Sequence, residues 1–124
     1  MKNILSSLNR KDQGKAGEEL AVHFLERNGL RILERNYRFD HGEIDIIAEE
    51  GEELVFVEVK TRLSATFGPP EEAVTEEKQK KVLATADGYL FERSIDDRPC
   101  RFDVIAIKFK KNGSSEIRHL RDAF

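Results

Sequence analysis

The chain of 124 residues is long enough for one domain with a modest core and too short for two independent ones, so a single site is expected. Charged residues make up 36% of it, no apolar run is long enough to cross a bilayer and no signal-peptide pattern opens it, so a cytoplasmic protein with no membrane partner is expected. A single cysteine and three scattered histidines exclude an internal disulfide and zinc of the usual spacing, and a net charge of −3 excludes a uniformly basic surface.

Residues 1–11 lack a consistent period and are expected to form a flexible N-terminal arm, leaving residues 12–124 as a single domain. Asp12 can cap a helix running to about Asn28, with Leu20, Ala21, Phe24 and Leu25 facing inward and Gly29 ending it. Three strand-like runs follow, Leu30 to Phe39, Glu43 to Glu49 and Glu53 to Thr61. The turn-sized links Asp40-His41-Gly42 and Glu50-Gly51-Glu52 make them an antiparallel meander. After a Gly68-Pro69-Pro70 loop, Thr75 caps a second helix reaching about Arg93, with Gln79, Leu83, Ala86 and Leu90 on an inward stripe. A fourth strand covers Phe102 to Phe109, and a short fifth can cover Ser115 to His119. Strand, helix, strand in succession implies a right-handed crossover, giving an α-β-β-β-α-β mixed sheet flanked by helices, an α/β fold.

The segment Leu54-Val55-Phe56-Val57-Glu58-Val59-Lys60 starts apolar on both faces, as a central strand does, and then turns charged on one of them. The strand before it places Glu43 and Asp45 on one face and Ile44, Ile46 and Ala48 on the other. If Val55, Val57 and Val59 share the aliphatic face with those three, a two-residue Gly51-Glu52 turn sets Asp45 opposite Glu58 and Glu43 opposite Lys60. Carboxylates so opposed have Cβ atoms about 5 Å apart and repel. A hard divalent cation, Mg²⁺ or Mn²⁺, offsets that repulsion through oxygen ligands alone. Lys60, roughly 6.6 Å along the strand from Glu58, can stabilise charge developing on a phosphate. The structural alternative is an ion-pair network in which Lys60 only neutralises its neighbours.

Glu18 falls on the inner side of the first helix with Gly14, Ala21 and Leu25, and is either a ligand at the same site or a carboxylate reaching out to water. Gln79 is either a polar group aimed at the site or an amide hydrogen-bonded at the helix edge. Lys78, Lys80 and Lys81 can touch phosphates or be merely solvated. Basic groups concentrate at the two ends of the chain: residues 41–77 carry 2 basic and 11 acidic groups, against 8 and 6 before them and 11 and 7 after. Two basic segments can thus line a groove around an acidic centre, or simply be solvated surface.

The segments Gly17-Glu18, Gly42-Glu43-Ile44-Asp45, Val55-Phe56-Val57-Glu58-Val59-Lys60, Lys78-Gln79, Arg101-Phe102-Asp103-Val104 and Asp122-Ala123-Phe124 together resemble the YraN-type family of small bacterial proteins. The resemblance implies the PD-(D/E)xK, or restriction-endonuclease-like, fold shared with archaeal Holliday-junction resolvases. It implies that Asp45 and Glu58 are metal ligands, Lys60 the catalytic lysine, Glu18 a helical acidic ligand and Gln79 a polar residue near the site. Ile44 stands where the superfamily name has Pro, a position that supplies no ligand. The function so implied is a metal-dependent DNA endonuclease or resolvase-like phosphodiesterase acting on branched or single-stranded DNA. The alternatives are a non-catalytic nucleic-acid-binding module on the same fold, serving repair or recombination, and a protein-interaction role through a homodimer.

Overall fold

The computed structural model describes residues 10–63 and 74–124. Residues 1–9 of the arm expected over residues 1–11, and the Gly68-Pro69-Pro70 loop, lie outside them. Helix α1 (Arg10–Arg27) is followed by strands β1 (Arg31–Phe39), β2 (Gly42–Glu50) and β3 (Glu53–Leu63), helix α2 (Glu76–Glu92), and strands β4 (Cys100–Phe109) and β5 (Ser115–Leu120). The five strands lie side by side in chain order, antiparallel except for the parallel pair β3 and β4 that α2 connects. No helix among the described residues is long and apolar enough to cross a membrane.

Local chemistry accounts for the boundaries. Helix α1 starts at Arg10, two residues before the expected Asp12, so the end of the expected arm is helical. It stops where Gly29 takes φ +91°, and the amides of Gly29 and Leu30 return to the carbonyls of Glu26 and Leu25, a left-handed cap that frees the chain for β1. The Thr75 side chain accepts a hydrogen bond from the Lys78 amide at 3.2 Å and caps α2, as expected. Between Glu50 and Glu53 the two-residue turn has φ +60° at Gly51, and it sets Ala48 opposite Val55 and Ile46 opposite Val57, the register the alternation predicts.

Two cores sandwich the sheet. On the α1 side Ala21 and Leu25 pack against Ile46, Ala48, Val55, Val57, Ile105 and Ile107; on the α2 side Val82, Ala86 and Tyr89 cover Leu54, Phe56, Ile47 and Ile44. The inward stripe of α2 therefore runs through Val82, Thr85, Ala86 and Tyr89, and Leu83, expected inside, is 42% exposed. The helix is rotated by about one residue from the stripe that the leucines suggest, because the aromatic rings of Tyr89 and Phe56 dictate the packing.

Ile44 also departs from expectation. It belongs to the α2-side core while Ile46, two residues on, belongs to the α1 side. In a regular strand they would share a face. The pairing of β1 with β2 omits Asn36 and Asp45, between Arg35↔Ile46 and Tyr37↔Ile44, and Asn36 has φ +52°. The β2 strand turns over at Asp45, and that irregularity sets the geometry of the site.

Candidate functional site

The ladder between β2 and β3 ends at Ile46↔Val57, so Asp45 and Glu58 are not a backbone-paired couple as the simple register predicts. Instead the Asp45 carboxylate takes the place of a strand partner: its Oδ2 accepts a hydrogen bond from the Val59 amide at 2.8 Å. That bond fixes Asp45 beside the charged end of β3. Glu43, expected opposite Lys60, turns toward β1 and pairs with Arg38 at 2.9 Å.

Glu58 is 3% exposed, beneath the first turn of α2. Burial first, and the neighbouring Asp45 charge second, push its carboxyl up to about 7. Burial likewise raises Asp45, opposed by the Val59 amide and by the ammonium groups of Lys78 and Lys60. The two acids therefore feel one another, and both feel both lysines. The closest cation is Lys78, whose Nζ lies 3.5 Å from Glu58 Oε2. The other oxygen of Glu58, Oε1, is buried without a hydrogen-bond partner.

Glu18 reaches this region from the opposite layer. A Cβ on its neighbour Gly17 would lie 2.0 Å from Thr61 Cγ2, so glycine is what lets α1 press against β3 at that level. Glu18 is raised by burial and then by the charge of Asp45, and its Oε1 is also buried without a partner. Beside it is a depression of about 500 Å³ lined by Lys15, Glu19, Arg35, Asn36 and Arg38. Among the described residues no three His, Cys, Asp or Glu side chains converge closely enough to form a ready-made metal cage.

Gln79 makes no hydrogen bond to the carboxylates. Its amide nitrogen donates to the Val74 carbonyl at 3.3 Å at the helix edge, and it lines a different cavity, of about 440 Å³, with Val104 and Phe124. Lys78, one residue earlier, is the α2 side chain that meets Glu58. The contact of Lys78 with Glu58 fits the rotation of α2, which the leucine pattern does not reveal.

Asp103 is fully buried and belongs to a separate structure. It accepts hydrogen bonds from Arg101 at 2.9 and 3.1 Å and from the Asp122 amide at 2.9 Å, and His119 Nε2 lies 2.7 Å from its Oδ2. Burial would raise its carboxyl, but the His119, Arg101 and Asp122 bonds outweigh that and hold it below the ordinary value. Arg101 continues to Glu50 and Glu53, and Arg121 to Glu50, so the Arg101-Phe102-Asp103 segment ties the C-terminal residues to the β2–β3 turn.

A five-stranded mixed sheet with a helix on each face, and an acidic pair with two lysines at the place where β2 and β3 part, defines a restriction-endonuclease-like α/β domain. Residues 17–107 match the model of the "Uncharacterised protein family UPF0102", and the chain belongs to this family, the YraN-type proteins. It is 47% identical over 116 residues to a UPF0102 protein of Chlorobium phaeobacteroides, covering 90% of this chain and 91% of that one. A UPF0102 protein of Geobacter metallireducens is 48% identical over 118 residues, 95% and 96% of the two chains, and one of Clostridioides difficile 42% over 117 residues, 94% and 100%.

Proposed function

We propose that the protein is a divalent-cation-dependent phosphodiesterase that cuts DNA at Asp45, Glu58 and Lys60. The observation that carries this is the buried Glu58 Oε1, left without a partner beside a second carboxylate that raises its pKa. An unsatisfied buried acceptor costs about 1–3 kcal/mol and needs a compensating role. The donor set is all oxygen, which suits Mg²⁺ or Mn²⁺. Asp45 and Glu58 would hold the cation, and Glu18, which does not converge with them into a three-carboxylate cluster here, would have to close in from the α1 side. A bound cation would supply Lewis acidity toward a phosphoryl oxygen and lower the pKa of water at the site.

The chain's own groups do the positioning. The Val59 amide keeps Asp45 in one orientation, so no rotamer search precedes binding. Lys60, half-buried on β3, offers an ammonium to negative charge building up on the phosphate. Lys15, Arg35 and Arg38, around the depression beside Glu18, provide charge for the flanking backbone.

The test is a panel of branched, flapped and single-stranded DNA with Mg²⁺ or Mn²⁺. The parent is expected to cut at least one substrate, and Asp45→Asn or Lys60→Met to cut it at least about 100-fold more slowly. An uncut panel, or variants as fast as the parent, would refute the proposal. The Lys78 to Glu58 ion pair and the net charge of −3 favour a second reading, a binding module without turnover. It predicts salt-sensitive DNA binding and no product at any protein concentration.

A further inference from the structure

The ion pair between Lys78 and Glu58 is lopsided. The Glu58 side chain is 3% exposed and that of Lys78 39%, and the two atoms in contact lie 3.5 Å apart. Glu58 is buried on β3, the middle strand of the sheet, paired through its backbone with Val104 of β4. Lys78 reaches it from an outer helix turn on a flexible four-carbon stem whose movement costs little. One Glu58 oxygen is thus held by an ammonium that can leave, and the other is held by nothing. A compact monovalent charge beside a pair of mutually repelling carboxylates stands where a divalent ion binds better. The backbone of Lys78 does not depend on this contact, because its amide is fixed by Thr75.

We infer that Lys78 is an exchange residue: it holds Glu58 as a stand-in cation, yields that oxygen to an arriving divalent ion, and turns its freed ammonium to a phosphate of the bound strand. This rests on the function proposed above. Cation and DNA binding are then linked through one side chain, and each must strengthen the other by the same factor. Lys60 keeps its place on β3 throughout, so the two lysines have different duties. Lys60 is a fixed charge of the sheet; Lys78 is a charge of the helix whose partner depends on occupancy.

Calorimetric titration of Mn²⁺ into the full chain without DNA tests the first half, with Lys81→Gln as the control for loss of one positive charge on the same helix. Lys78→Gln is expected to bind Mn²⁺ about five- to tenfold tighter than the parent, and Lys81→Gln within about twofold of it. DNA binding with and without Ca²⁺ tests the second half. Ca²⁺ should raise the parent's affinity for DNA, and that gain should shrink at least about threefold in Lys78→Gln. Equal Mn²⁺ affinities for the Lys78 and Lys81 variants, or an undiminished Ca²⁺ effect, would overturn the inference. A parent that takes up no Mn²⁺ would overturn this and the phosphodiesterase proposal together. A parent that shows both linkages yet never cuts DNA would uphold Lys78's exchange and remove only the proposed reaction.

Discussion

Asp103 and Glu58 are both buried carboxylates on the central strands, and the chain treats them oppositely. Asp103 has donors on both oxygens and is held below the ordinary carboxylate range; Glu58 has one oxygen without a partner and is pushed up to about 7. Divergent environments of this kind separate structural from reactive acids. Asp103→Ala would leave Arg101 buried beside an empty position and should cost about 3 kcal/mol or more in urea unfolding. Because Asp103 is depressed, its contribution is present above its ordinary 3.8 and vanishes as pH falls through the lower folded value, so the parent should lose stability steeply in that acid range. Glu58 has the opposite sign. Raised from 4.5, it binds its proton more tightly folded than unfolded, so stability declines as pH climbs from about 4.5 to about 7 and levels off above. Glu58→Gln should therefore match the parent near pH 5 and exceed it by about 1–3 kcal/mol at pH 8 without divalent cations, as urea midpoints at the two pH values would reveal.

At the scale of elements, Gly17 is where α1 presses tightly against β3 near the site. Gly17→Ala should lose about 1–3 kcal/mol through the clash with Thr61 Cγ2. Thr61→Ser removes that methyl and leaves the residue's own Cβ at 3.4 Å, an ordinary contact, with Ile107 at 3.8 Å beyond it, so the double variant should be more stable than the summed single losses predict. All of the elements were legible, because period, caps and turn residues agree along the chain, and so was the β2–β3 register, set by a two-residue turn and unbroken aliphatic alternation. Strand period alone could not show that β2 turns over at Asp45. The turnover coincides with a left-handed Asn36 on the neighbouring strand, and a lone Asn between Arg35 and Tyr37 gives no sign of it. Nor could the leucine positions fix the rotation of α2, which its aromatic packing decides, and with it the contact of Lys78 with Glu58. That Asp45 and Glu58 influence one another was legible because ionised groups on an otherwise apolar central strand must find partners across it.

For the whole molecule, a net charge of −3 conceals an uneven layout. Lys15, Arg35 and Arg38 flank the site from the α1 and β1 side, and Lys78 reaches it from α2. In the proposed function these two basic flanks receive the backbone while the acidic centre stays poor in cations until a divalent ion binds, so DNA affinity should fall with rising salt. The function itself depends on whether Glu58 is a ligand or only a buried acid paired with lysine. The rate of DNA cleavage by Glu58→Gln against the parent, in Mn²⁺ at pH 8, distinguishes these most directly, since the variant should be at least as stable as the metal-free parent and unfolding cannot produce a loss. The account predicts a parent that cuts and a folded variant slower by at least about 100-fold; a variant that cuts at the parent's rate would contradict it.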